Sequence, residues 1–376
     1  MYIGHRDRLL CATVRDRSDH GPTRAYPAVL RRLLPSLSIR GYRLAPIERP
    51  GPPAARPLRG GERQGVTAVD IHPPTPARPG SVPWRSLVRG YLALMKLRVV
   101  ELLLVTTVPA MILAQRGIPP LDVTLVTLVA GTFAAGSAHA LNQVLERDID
   151  VIMRRTRRRP IATALISPLA GALFAGLLLL AALGLMLAFV NPLAAALTLA
   201  ANAFYVVVYT VLLKRRTSQN IVWGGVAGCL PTLIGWAAVT GELAWQPVLL
   251  FLVVFFWTPP HYWPLAMRFR DDYQRAGVPM LPVVASARTV ARQILGYSWA
   301  MVATTVVLWF VARLGWLYGA VAVLAGAWFL AEVHRLYRRA GDPTGAALSA
   351  MRLFHGSITY LSVVFAAVAA DVLLLG

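Results

Sequence analysis

Cysteine is nearly absent: Cys11 and Cys229 are the only two in 376 residues. They form no C-x-x-C pair and no C-x-x-C-H site, which excludes a thiolate metal centre, a dithiol redox pair and covalent haem attachment. Acidic residues are also scarce, 17 against 38 Lys and Arg, so the formal net charge is +21. A charge of that size suggests nucleic acid, but there is no aromatic-interleaved basic patch, recognition-helix pattern or zinc-finger spacing. The basic residues are instead split by apolar runs too long for a soluble core. No nucleophile triad is visible either. What is present is apolar: 56% of residues are hydrophobic, only 15% are charged, and the mean hydropathy is +0.56. The solvent for such a chain is a bilayer, and the expected fold is all-α and integral to the membrane, a single polytopic bundle.

Residues 1–85 read as a separate region, a basic Pro/Arg-rich N-terminal extension. Stretches such as "ERPGPPAARPLRGGERQG" have neither helical nor alternating apolar period, so this tail is expected to be disordered and dispensable to the core. It lacks the continuous apolar stretch and cleavage site of a secretory signal. The segment "YPAVLRRLLPSLSIRGYRL" suits a short basic amphipathic helix on an anionic membrane. Residues 86–376 are expected to be the membrane domain.

From Tyr91 onward, apolar segments of roughly 20 residues recur, the length that crosses a hydrocarbon core of about 30 Å. About nine spans are expected, at 92–114, 121–144, 165–190, 193–213, 220–240, 246–266, 292–313, 315–334 and 353–375. The N-terminal flank, "RRTRRRP", "KRRTS", "RFRDDYQRAG" and "HRLYRR" are basic and fall on one side, whereas the turns between them carry little positive charge. By the positive-inside rule the N-terminus is cytoplasmic and the C-terminus external. The same clusters also suit contact with anionic lipid.

Acidic groups at the end of a membrane span are costly unless partnered. In "ALNQVLERDIDVIMRRTRRRPI", Asn142, Glu146 and Asp150 recur at i, i+4 and i+8, which stacks them on one helix face with Asp148 to the side. An amide oxygen and two carboxylates are hard ligands suited to Mg²⁺, which commonly bridges to phosphates. The loop "WTPPHYWPLAMRFRDDYQRAGVPMLP" adds Asp271 and Asp272 on the same side. Facing carboxylates would repel a diphosphate unless metal and cations intervene, and Arg155, Arg159, Lys214 and Arg268 are at hand. A structural reading stands beside this one, with both acidic clusters salt-bridged to the arginines that follow them. His261, in the Pro-flanked aromatic stretch "FFWTPPHYWPL", either touches a substrate or bonds to backbone freed by the prolines. Glu101 and His355 carry the same two readings, with structural partners favoured.

These residues carry a resemblance. "NQVLERDIDVIMRRTRRRP" is similar to the N-x-x-x-D-x-x-x-D signature of the UbiA-type membrane prenyltransferases, with Glu146 where the signature usually has Asp. "YTVLLKRRTSQNIVWGGVAGCLPTLIGWAAVTG", "WTPPHYWPLAMRFRDDYQRAGVPMLPVV" and "RLFHGSITYLSVVFAAVAAD" resemble the haem-farnesylating branch of that superfamily, over nearly everything from Tyr91 to the end. Where that branch usually reads "TKPR", this chain has "MKLR". The resemblance implies a UbiA-like bundle of about nine helices in the cell membrane, enclosing a cavity for farnesyl diphosphate and haem B, with Mg²⁺ as cofactor. It implies transfer of the farnesyl group to a haem vinyl group, giving haem O for respiratory oxidases. Asn142, Glu146 and Asp150 then match the first metal motif, and Asp272 with Asp271 the second. Arg155, Arg159 and Lys214 match the diphosphate-side cations, and His261 a haem contact. Association with a downstream haem A synthase is an expectation of the same kind. A UbiA-type enzyme acting on a quinone precursor or other aromatic acceptor is the alternative.

Overall fold

The computed structural model describes residues 83–341 and 349–375, with residues 98–104 as backbone only. The expected disordered tail, except residues 83–85, lies outside the described residues, as does the Glu101 side chain. Among the described residues all regular structure is helical: α1 Trp84–Met95, α2 Leu97–Gln115, α3 Leu121–Leu145, α4 Arg147–Asp150, α5 Pro168–Phe189 and α6 Pro192–Ala203, the last running into a π-helix Phe204–Leu213. Then follow α7 Asn220–Thr240, α8 Trp245–Arg268, α9 Arg270–Arg275, α10 Leu281–Val284, α11 Ala287–Val311, α12 Trp316–Arg339 and α13 Ala350–Leu375. Eight segments are long and apolar enough to cross a membrane, and Val105–Gln115 is the described apolar part of a further helix. The protein is thus a multi-pass membrane protein, as the hydropathy requires.

Two expected spans differ in detail. The first was expected to start at 92, but the helix breaks at Lys96, whose backbone is left-handed (φ 52°, ψ 52°). α1 therefore stands apart from α2, with Trp84, Val88 and Leu92 exposed along one stripe and Leu94 and Met95 buried. The fourth span is helical to Leu213, but its second half is wound as a π-helix; Lys214 N–H donates to the Tyr209 carbonyl (2.9 Å), an i to i−5 bond.

Packing follows from composition. In lipid, helices associate through close fit and polar bonds more than through apolar burial. α2 and α7 approach so closely at Gly235 that an added Cβ would lie 2.8 Å from the Thr107 carbonyl oxygen. α3 packs on α5, α8 on α7 and α11, and α13 on α8, α12 and α2. Asn191 ties two ends together: its Oδ1 accepts from Ala194 N–H (2.8 Å) at the start of α6, and its Nδ2 donates to the Ala237 carbonyl (2.7 Å) near the end of α7.

The buried Asp371 of α13 does a similar task for α12. Its carboxylate accepts from the backbone N–H groups of Gly315 (2.5 Å) and Tyr318 (3.0 Å), which the first turn of α12 leaves without intrahelical partners. A carboxylate there also complements the helix dipole. Asp371→Ala is expected to cost about 1–2 kcal/mol, as for loss of a helix cap, and to lower the Tm in detergent. An unchanged Tm would mean that this cap contributes nothing.

Candidate active site

Between α2, α3, the α6–π span, α7, α8 and α13 lies a cavity of about 490 Å³. Its walls are largely small and apolar, with Gly131, Ala134, Ala135 and Ala138 of α3 and Gly225 and Gly228 of α7 leaving the volume open. One end is polar. Lys96, Asn142, Arg155, Arg159 and Lys214 line it, so four cations gather at one end of an otherwise hydrophobic chamber.

Local structure places these groups. α3 ends at Leu145, and Glu146 leaves helical geometry (φ −101°, ψ 9°) before the single turn α4. The expected unbroken column is therefore two helical pieces, yet its i, i+4 links survive. Glu146 N–H donates to the Asn142 carbonyl (2.9 Å) and Asp150 N–H to the Glu146 carbonyl (2.9 Å). Asn142, Glu146 and Asp150 are all buried, while Asp148 is exposed. Arg215 bonds Asp148 in a two-pronged pair (2.7 and 2.6 Å) and holds its carboxyl below the usual carboxylate range.

Behind the polar end, carboxylates and cations interlock. Arg159 reaches both oxygens of Asp150 at 2.7 Å and lies 3.9 Å from Glu146 Oε2, and Lys214 pairs with Glu146 Oε1. Lys96 Nζ donates to Asn142 Oδ1 (3.3 Å), and Asn142 Nδ2 donates to Thr210 Oγ1 (3.2 Å) on the π-helix. Glu146 Oε2 is buried and accepts no hydrogen bond among the described residues. A hard oxygen that accepts no hydrogen bond and has a guanidinium no nearer than 3.9 Å is chemistry that fits a divalent cation.

The second acidic pair divides. Asp272 is buried and paired with Arg275 on its own turn, whereas Asp271 faces outward. The next residue, Tyr273, joins α9 to the polar end: Arg155 donates to its hydroxyl (3.1 Å), which is 3.3 Å from the Tyr262 hydroxyl. Of the expected cations Arg155, Arg159 and Lys214 line the cavity, whereas Arg268 is exposed at the end of α8 and does not. His261 lines the cavity, with its ring stacked between Trp257 (centroids 4.1 Å) and Phe354 (4.6 Å). Its Nδ1 meets Ser357 Oγ at 2.9 Å, a side-chain partner in place of proline-freed backbone. His355 is exposed.

Two residues were given no role from sequence. Lys96 stands in "LALMKLR" as a lysine within an apolar run, and His139 as a histidine one turn before Asn142; an ionisable group inside a span is the signal that marks both.

Comparisons with known proteins agree on a family. The UbiA prenyltransferase family matches residues 103–358. A protoheme IX farnesyltransferase from Nocardioides sp. is 56% identical over 293 residues, 78% of this chain and 93% of its own. The enzyme of the same name from Streptomyces coelicolor is 53% identical, covering 81% of this chain and 99% of its own. Among solved structures, a digeranylgeranylglyceryl phosphate synthase superposes with a TM-score of 0.65 at 16% identity, over 77% of this chain and all of that one. A UbiA homolog from Archaeoglobus fulgidus bound to DMAPP and Mg²⁺ does so with a TM-score of 0.55 at 18% identity, over 74% of this chain and 99% of that one. At such identities the structures speak for the fold.

Proposed function

The chain belongs to the UbiA prenyltransferase family, and from that premise we propose how it acts as a protohaem IX farnesyltransferase, moving the farnesyl group of farnesyl diphosphate to a vinyl group of haem B to give haem O. The observation that carries the reading is the single polar end, four cations over buried carboxylates, on an apolar cavity of about 490 Å³. An allylic diphosphate asks for that division. Its leaving group needs fixed positive charge where negative charge develops, and its carbocation needs walls that exclude stray water.

Lys96, Arg155, Arg159 and Lys214 receive the diphosphate, and the small residues of α3 and α7 accept the isoprenoid. His261, held by Trp257, Phe354 and Ser357, faces the porphyrin. The C1–O bond breaks with its electron pair on the diphosphate, the haem vinyl group attacks C1, and water completes the hydroxyethylfarnesyl side chain. Mg²⁺, when bound, adds positive charge at the leaving group. Asn142, Glu146 and Asp150 would hold it, with Asp272 contributing from α9, whereas Asp271 faces outward and does not; Glu146 Oε2, which accepts no hydrogen bond among the described residues, supports this assignment. By the positive-inside rule the basic ends support an N-terminus in the cytoplasm and a C-terminus outside, with the plasma membrane as the proposed location and a haem A synthase as the proposed recipient of the product.

Membranes containing the protein, given haem B, farnesyl diphosphate and Mg²⁺, are expected to yield a farnesylated haem by chromatography and mass, and a chelator is expected to remove it. Prenylation of phenolic acids with none of haem would keep the fold and move the substrate. Product that persists with chelator would remove the metal from the scheme.

A further inference from the structure

His139 lies on α3 one turn further into the membrane than Asn142, and three residues of α-helix advance about 4.5 Å. Its ring lines the cavity, is 8% exposed, and stands edge-on to Tyr205 with centroids 5.4 Å apart. Its Nδ1 is buried without a hydrogen-bond partner among the described residues. By contrast Lys96, Asn142, Arg159 and Lys214 are all bonded to one another or to carboxylates. A polar ring nitrogen buried unpaired is unfavourable, and here it is kept at the border between charge and apolar wall. Beyond it on the same helix the lining face continues with Ala138, Ala135, Ala134 and Gly131, and then Leu128 and Thr127. With the diphosphate on the cations, isoprenoid C1 is bonded directly to that group. The reacting carbons therefore lie about one helical turn inward, at the level of His139.

We infer that His139 is the general base that takes the proton of the water completing the reaction, an assignment that rests on the haem-farnesylating reading above. In full, the C1–O bond breaks and the diphosphate leaves with the electron pair. The terminal vinyl carbon bonds to C1, which leaves an electron-deficient carbon beside the porphyrin ring. The water oxygen bonds to that carbon, and one water proton passes to an imidazole nitrogen of His139 and from there to the departed diphosphate. Haem B, farnesyl diphosphate and water thus become hydroxyethylfarnesyl haem and diphosphate carrying the one proton released by the water. When no base holds the water, the same carbon is relieved by losing a proton from its neighbour, and the product is an alkene lighter by one water.

The test uses the full chain in membranes, as wild type, His139→Ala and His139→Gln, with diphosphate release and the masses of the porphyrin products followed together. The hydroxylated product is expected to fall about 100-fold, the scale of a lost general base. Diphosphate release falls less, and the alkene becomes the main product in both variants. Parallel loss of hydroxylated product and diphosphate release, with no alkene, would overturn the inference and leave His139 as a packing residue. The Gln variant keeps the volume of the ring and carries the result if the Ala variant does not accumulate. Wild-type membranes that farnesylate no haem would instead sink the haem-farnesylating reading, and this inference with it.

Discussion

Asp150→Ala is expected to leave the protein at its normal level in the membrane and to lower farnesyl transfer about 10²–10³-fold, the scale of removing one preorganised electrostatic group. Asp150 is 1% exposed and holds Arg159 through both of its oxygens. Without it Arg159 loses the bonds that aim its guanidinium into the cavity, and one of the oxygens proposed to hold Mg²⁺ is gone. The fold tolerates the change because Arg159 still has Glu146 at 3.9 Å and lines the open cavity on its other side. Asp150→Asn, which keeps one carbonyl oxygen for Arg159, is expected to fall between wild type and Ala. Turnover at the wild-type rate by Asp150→Ala, measured with protein quantified in the same membranes, would remove Asp150 from the site.

Lys214 carries the second large effect. It pairs with the buried Glu146, lies over the Tyr209 ring (5.7 Å), and lines the cavity, so one ammonium faces both the carboxylate behind and the cavity end where the diphosphate is proposed to sit. Lys214→Ala removes a cation and leaves Glu146 with Arg159 at 3.9 Å as its nearest positive group. The expected result is about a 10²-fold loss in kcat with a raised KM for farnesyl diphosphate. Lys214→Arg should restore part of both, since charge is kept and reach changes. Lys214 also sits in a basic loop that bears on orientation, and labelling of tagged termini separates the two roles. A variant that flips or mixes topology yet turns over normally would confine Lys214 to orientation.

The membrane spans were legible because bilayer thickness demands runs of a given length, and no tertiary detail is needed to count them. The pairing of acidic and basic groups was legible for a related reason: charge at the end of a span has few solutions. What escaped was geometry within a helix. Nothing in "YLALMKLRVV" announces a break, as it contains neither Gly nor Pro, and Lys96 takes a left-handed backbone where its ammonium meets Asn142. Asp271 and Asp272 looked equivalent, but adjacent residues on a helix point about 100° apart, so one turned inward and the other outward. Arg268 shares its neighbourhood in sequence with the other cations, yet falls on the outer side of α8. His139 went unassigned because a lone histidine gives no sign of its partners; only the fold leaves its Nδ1 without one among the described residues.

The winding of Phe204–Leu213 bears on more than its own hydrogen bonds. Each residue of an α-helix turns the chain by about 100°, and a helix bonded from i to i+5 turns it by less. Over ten residues the two courses drift apart, so a side chain at the end of the π-helix points in a different direction from one at the end of an α-helix of equal length. Thr210, Tyr209 and Lys214 all meet the polar end in the phase that the wider coil sets. The segment is therefore an angular spacer: the number of residues between Ala203 and Lys214 decides which way the ammonium faces, quite apart from which residues they are.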